Sequence, residues 1–279
     1  MLWVDSENSA EIATAQMGAL KSGVSLVTVD EKDDINHVAS ALERSQARGL
    51  LVSPHTKSNE NNQRANQLLD LVPELIRAKP GEKVKFDHFP HLTNVIHTGH
   101  VSIRGATKFK ETMLYVKKSM TNLRIPGSES NSLAMECFSG GDRVASLTNH
   151  EFVKSAVEIW DRYLNGDNKL LPVFLTLSLQ YPLGFASLLA CVHGGRKAFV
   201  PSTYNLAKIA KSFNNQKSDV LICEDDLFNF VPPVHKYDEV KESTSTFKKA
   251  IVGGSGKEGR AEGTVFTNIA ATHSNLYLQ

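Results

Sequence analysis

Leu170–Val192 reads LLPVFLTLSLQYPLGFASLLACV, a run without one charged side chain. It is long enough for the roughly 20 residues of a membrane-spanning helix. Its interior argues otherwise. Pro172 stands near the start, and Gln180, Tyr181, Pro182 and Gly184 crowd the middle, where proline deletes a backbone donor and glycine loosens the chain. The run divides instead into LPVFLTLSL as a strand, QYPLG as a turn and FASLLACVHGG as a helix. A strand that is almost continuously apolar, rather than apolar at alternate positions, suits a parallel sheet covered on both faces. No transmembrane span is expected, and the fold class is α/β.

The same alternation of helix and strand recurs on either side. Ser9–Ser22 sets Ile12, Ala15, Gln16 and Ala19 on one helical face, entered through Ser6, Asn8 and Ser9. Gly23 ends that helix, and VSLVTV (Val24–Val29) is a β-branched strand. Asp33 and Asp34 open a second helix carrying Ile35, Val38 and Leu42, and RGLLVS (Arg48–Ser53) is the next strand. A helix over Asn59–Leu75 ends or kinks at Pro73, Lys79–Lys85 is a polar turn, Thr93–Thr98 a strand and Phe109–Lys118 a short helix. TNLRIPGSESNS (Thr121–Ser132) reads as a linker. Beyond it Phe152, Ala156, Ile159, Trp160 and Tyr163 mark a strong helix. KAFVP, a helix with Leu206, Ile209, Ala210 and Phe213, then DVLIC and KAIVGG continue the rhythm. The expected organisation is a first α/β subdomain over 1–132, a second over 133–256, and a flexible or accessory tail over 257–279.

Composition narrows the function classes. The 279 residues are 41% hydrophobic and 22% charged with net charge +1, which gives no electrostatic footprint for nucleic acid and no basic block for a membrane surface. Three widely spaced cysteines, Cys137, Cys191 and Cys223, argue against a disulfide framework. The first sixteen residues contain three acids and no arginine, unlike a secretory or organelle leader, although a leader removed before residue 1 would leave no trace.

Three stretches invite a chemical reading. GGSGKEG (Gly253–Gly259) is glycine-rich, but Ile251 and Glu258 occupy the positions where a Walker phosphate loop needs a glycine and a hydroxyl. In DHFPHLTNVIHTGH (Asp87–His100), His88, His91, His97 and His100 have paired spacings of the kind metal ligands use. TNVIHT reads as a strand, however, which sends positions three apart to opposite faces, so no metal site is expected. CFSGGDRVASLTNHEF (Cys137–Phe152) begins like a phosphate-holding loop and ends like the helix that follows one. No catalytic set can be assembled from spacing alone.

Several stretches, taken in order, resemble one family. VDSENSAEIATAQMGALKSGVSLVTV, ALERSQARGLLVSP, FPHLTNVIHTG, LTNHEFVKSAVEIW, LSLQYPLGFASLLACVHGGRKAFVP and KAIVGGSG are similar to successive segments of the N-terminal domain of adenylate-forming (AMP-binding) acyl-CoA synthetases. The likeness is nearest to medium-chain fatty acyl-CoA ligases and runs to about residue 256. It implies layered parallel sheets flanked by helices, incomplete at both ends. It also implies a nucleotide site at Ser139, Gly140, Gly141, Gly253 and Gly254, and an acyl pocket at Tyr181 and Gly184.

The departures concern chemistry. The family's loop reads roughly YTSGTTGxPKG; here Phe138, Ser139 and Gly140 match its start and Leu147, Thr148 and His150 its end. The intervening Gly141–Ser146 lacks the threonines, the proline and the lysine. Asp142 adds negative charge where a triphosphate would sit, with Arg143 as the neighbouring cation. Tyr181 replaces a frequent histidine, and these residues hold no counterpart of the Tyr-Gly-x-Thr-Glu motif, the ribose-binding aspartate or the mobile lysine-bearing domain. The resemblance therefore implies a non-catalytic relative, needing no cofactor, that serves as a structural or interaction subunit among protein partners in a larger, mitochondrial assembly. The alternatives are a cytoplasmic location, an acyl or acyl-CoA binding protein, or one part of a split ATP-dependent fatty acyl-CoA ligase using ATP, magnesium and CoA.

Overall fold

The computed structural model describes residues 2–5, 8–29, 33–52, 67, 69–79, 82–99, 103–113, 130–165, 171–201, 218, 220–224, 249–253 and 265–268. The chain forms two units, Met1–Asn149 and His150–Gln279.

The first unit is built on a seven-stranded sheet. Its strands are β1 (Leu2–Asp5), β2 (Leu26–Val29), β3 (Gly49–Val52), β4 (Asn94–His97), β5 (Thr107–Lys108), β6 (Leu133–Ser139) and β7 (Asp142–Thr148), in the spatial order β5-β4-β3-β1-β2-β6-β7. All neighbours pair in parallel except β6 and β7. Helix α1 (Ala10–Lys21) starts where the Ser9 hydroxyl oxygen accepts the Ile12 N–H at 3.1 Å, and it buries Ile12, Gln16 and Ala19. Helix α2 (Ile35–Ser45) is capped by Asp34, whose carboxylate accepts the N–H groups of Asn36 and His37 at 2.9 and 3.0 Å. Strand alternation then assigns the two faces of the sheet. Leu50 and Val52 join Val38 and Leu42 of α2 in the main core, whereas Leu51 joins Ile12 of α1 and Phe109, the first residue of α3 (Phe109–Met113), on the other face. Both faces are covered, as a parallel sheet requires.

The boundary between units lies at Asn149/His150 rather than at 132/133, because β6 pairs with β2 through Leu26↔Met135 to Val29↔Phe138 and carries β7 with it. A polar linker is visible locally, but the distant partner of the strand after it is not. The expected Thr121–Ser132 linker falls mostly outside the described residues, as do most of the Asn59–Leu75 helix, the Leu206–Phe213 helix and the glycine-rich segment after Gly253. At Pro73 a short 3-10 turn, Pro73–Ile76, begins.

The second unit holds a parallel five-stranded sheet, β12-β11-β10-β8-β9. Its strands are β8 (Val173–Leu175), β9 (Ala198–Phe199), β10 (Val220–Glu224), β11 (Lys249–Gly253) and β12 (Val265–Asn268). The expected tail thus contributes a strand at Val265–Asn268. Helix α4 (Asn149–Ile159) buries Phe152, Ala156 and Ile159 and runs into a π turn, Trp160–Leu164, closed by Asn165 N–H donating to the Trp160 carbonyl at 2.8 Å. The wider turn shifts the helical phase by one residue, so Leu164 takes the buried place that regular spacing assigns to Tyr163.

The uncharged run around Pro182 folds as strand, turn and helix. β8 is shorter than expected, and α5 (Pro182–His193) is buried on nearly every side. At about 1.5 Å per residue α5 is about 18 Å long, well short of a bilayer's ~30 Å core. Among the described residues no helix is long and apolar enough to cross a membrane. The turn after α5 is held by Arg196, buried and donating to the carbonyls of Leu171 at 2.9 Å and Leu164 at 3.2 Å.

Gly194 shows how tightly this region packs. Its φ of −83° suits any residue, yet an added Cβ would lie 2.0–2.2 Å from the Trp160 ring. Gly194→Ala should therefore lower stability by about 1–3 kcal/mol in urea unfolding through overpacking. The exposed mid-helix Gly18, with nothing within 4 Å of its Cβ position, should gain about 0.5–1 kcal/mol as Gly18→Ala. A neutral Gly194→Ala would show that the indole is not seated there.

Candidate functional site

Strands β6 and β7 are joined by two residues. Gly140 and Gly141 have φ of +60° and +80°, the left-handed backbone of a type I′ hairpin turn, which glycine adopts without strain. The pair Ser139↔Asp142 closes it. Where the sequence suggests a shortened phosphate loop, the chain makes a minimal hairpin connection. A two-residue turn has no length in which to wrap several amides around a phosphate chain.

The turn lies on α2. Asp33, His37, Ser40 and Arg44 follow one another at i, i+4, i+7 and i+11 and form one helical stripe. The Asp33 carboxylate, 9% exposed, accepts the Gly140 N–H through both oxygens at 2.9 and 3.1 Å. The Ser40 hydroxyl donates to the Gly141 carbonyl at 3.2 Å. Arg44 pairs with Asp142. A Cβ on Gly141 would stand 3.4 Å from the His37 ring and the Ser40 side chain, so turn and helix are in van der Waals contact. His37 Nδ1 is 3.3 Å from Asp33 and 3.6 Å from Asp34, near enough to feel their charge but without hydrogen-bond geometry. The Asp34 carboxyl is held below the usual carboxylate range, chiefly by the hydrogen bond from the His37 N–H, with desolvation opposing it.

The electrostatics of the turn are therefore internal. Arg143, the cation expected to offset Asp142, donates instead to the buried Glu136 carboxylate at 2.8 Å, while Asp142 is matched by Arg44. An incoming phosphate would meet a carboxylate already on the Gly140 amide and two guanidinium groups already paired, and like charges at short range repel. Sequence reading missed Asp33, Ser40, Arg44 and Glu136. The periodic polar stripe from Asp33 to Arg44 is a signal for three of them; nothing local marks Glu136.

The other expected site residues belong to the second unit or lie outside the described residues. Gly253 ends β11 in the second unit, and Gly254 lies outside the described residues. Tyr181 and Gly184 come together at the start of α5: Tyr181 N–H donates to the Ser178 carbonyl at 3.2 Å, and its own carbonyl accepts from Phe185 at 3.1 Å. A Cβ on Gly184 would fall 2.1 Å from the Ser178 carbonyl oxygen. The missing side chain is thus filled by the chain's own backbone. Among the described residues no three His, Cys, Asp or Glu side chains gather as a metal-ligand set. His88 and His91 are exposed, His97 is buried, and His100 lies outside the described residues. The three cysteines are buried and in no disulfide, and burial pushes the thiols of Cys137 and Cys191 up to about 12, too high for a nucleophile.

No protein-family model matches the sequence, and no curated protein matches it. Solved structures do match the fold. A natural red-emitting luciferase from Phrixothrix hirtus aligns with a TM-score of 0.70 at 15% identity over 92% of this chain and 58% of that one. A fatty acyl CoA synthetase from Mycobacterium tuberculosis aligns at 0.62 and 16%, over 91% and 44%. O-succinylbenzoate coenzyme A synthetase from Bacillus subtilis, solved with ATP and magnesium ion, aligns at 0.61 and 14%, over 95% and 60%. The chain has the fold found in the N-terminal part of adenylate-forming acyl-CoA synthetases, and it spans between 44% and 60% of these solved chains.

His97 supplies a test of the first unit. It ends β4 at 1% exposure, and among the described residues neither ring nitrogen finds a hydrogen-bond partner. Desolvation lowers its pKa, the Lys108 cation adds to this, and the Glu111 carboxylate and the Gly99 backbone oppose it. The unfolded chain thus binds the proton more readily. The stability contribution of the neutral ring is complete above the ordinary histidine value of about 6.5 and is lost as pH falls below it. His97→Gln should lose less stability than the wild type between about pH 7 and pH 5. Parallel denaturation profiles for the two proteins would exclude this role.

Proposed function

We propose that this protein is a non-catalytic relative of the acyl-CoA synthetases that keeps the α/β frame and acts as a structural or interaction subunit of a larger assembly. The observation that carries the reading is the Gly140–Gly141 turn, where the expected loop is two residues long and its amide and charged side chains are engaged within the chain. Adenylation needs phosphates held in position and the charge developing at the α-phosphate stabilised. A minimal hairpin facing a carboxylate offers neither. In this role the chain needs no nucleotide, metal or coenzyme, its partners are other protein subunits, and the family likeness favours mitochondria over the cytoplasm.

Retained acyl binding is the weaker reading, because the Gly184 position is occupied by the Ser178 carbonyl rather than left open. Two measurements decide the matter. Carboxylic-acid-dependent ATP–pyrophosphate exchange should be absent from the pure protein, and in a gentle extract of its source the 30.7 kDa chain should migrate with a much larger complex. Exchange activity would return the protein to the enzymes. Migration as a free monomer would remove the subunit role.

A further inference from the structure

The Asp33 contact is more than a helix-to-turn tie. In a two-residue hairpin the N–H of the first turn residue is not used by the strand ladder; it points outwards and is available to an anion. In this protein that donor is Gly140, and the group that meets it is an anion supplied by the chain, held by two oxygens at 2.9 and 3.1 Å and almost removed from solvent. We propose that Asp33 is a built-in occupant of a latent anion site on the hairpin, an internal contact that keeps phosphate off the Gly140 amide. This rests on reading residues 139–141 as the remnant of a phosphate loop.

The surroundings fit an anion of either origin. His37 Nδ1 lies 3.3 Å from the same carboxylate, and Arg44 reaches the next residue of the turn, Asp142. The Gly140 N–H that now donates to Asp33 would be open to a phosphate if the side chain were gone. The loop's shortness limits affinity, and the carboxylate removes what remains.

The probe is inorganic pyrophosphate, titrated into isotopically labelled full-length protein against sodium chloride of matched ionic strength, with the Gly140 and Gly141 amide resonances as the readout. The wild type should show no saturable shift. Asp33→Ala should bind at least about tenfold more tightly, with the largest changes at those two amides. Asp33→Asn, which keeps an acceptor for the Gly140 N–H but not the charge, should show a smaller gain, and it carries the test if Asp33→Ala does not fold. Binding by the wild type equal to that of the variants, or no gain in either variant, overturns the proposal. Its failure is distinct from failure of the non-catalytic reading, which only exchange activity in the wild type would produce.

Discussion

The pairing of β6 with β2 governs the rest of the first unit. Its five central residues, Ala134–Phe138, are buried, and the parallel register Leu26↔Met135 to Val29↔Phe138 sets where the strand must end. Ser139 then emerges at the carboxyl edge of the sheet beside the segment leading into α2, and the next two residues must reverse the chain. Glycine at both positions lets them do so with left-handed backbone. The contacts with Asp33, Ser40 and Arg44 follow from that placement. In open α/β sheets the carboxyl edge is where ligands usually bind, and here the chain's own groups meet across it.

The contacts at the turn are unequal. Arg44 and Asp142 are 56% and 75% exposed, and an ion pair in that setting contributes between about 0 and 1 kcal/mol. The Asp33 carboxylate is nearly buried, and removing the Gly140 donor would take a charge-assisted hydrogen bond from a largely desolvated anion. Glu136 is in the same position with respect to Arg143. Two buried carboxylates, each answered by one donor from the hairpin, hold the turn more firmly than the visible surface pair.

In the second unit the same economy of space appears with apolar groups. Gly184 admits the Ser178 carbonyl, Gly194 admits the Trp160 indole, and Phe152 and Phe185 pack with ring centroids 5.5 Å apart. Small residues at these points let the turn after β8 lie directly on α5. At Gly184 the Ser178 carbonyl stands where a Cβ would be, a contact that residue identity alone does not disclose.

Local pattern carried the α/β class, the capped helices α1 and α2, and the division of Leu170–Val192 into strand, turn and helix, because helix caps, proline and hydrophobic period act within a few residues. The same short range explains what it missed. The unit boundary depends on β6 finding β2 more than a hundred positions earlier. The phase of α4 depends on a π turn, and the engagement of Arg143 by Glu136 depends on β6 and β7 standing side by side. Sequence by itself determined the elements and the absence of the lysine and threonines that the resembled loop carries, since those are matters of residue type and spacing. Only tertiary structure decided that the remaining loop is a two-residue hairpin with its amide already held by Asp33, because strand pairing and charge neutralisation join residues that the chain keeps far apart.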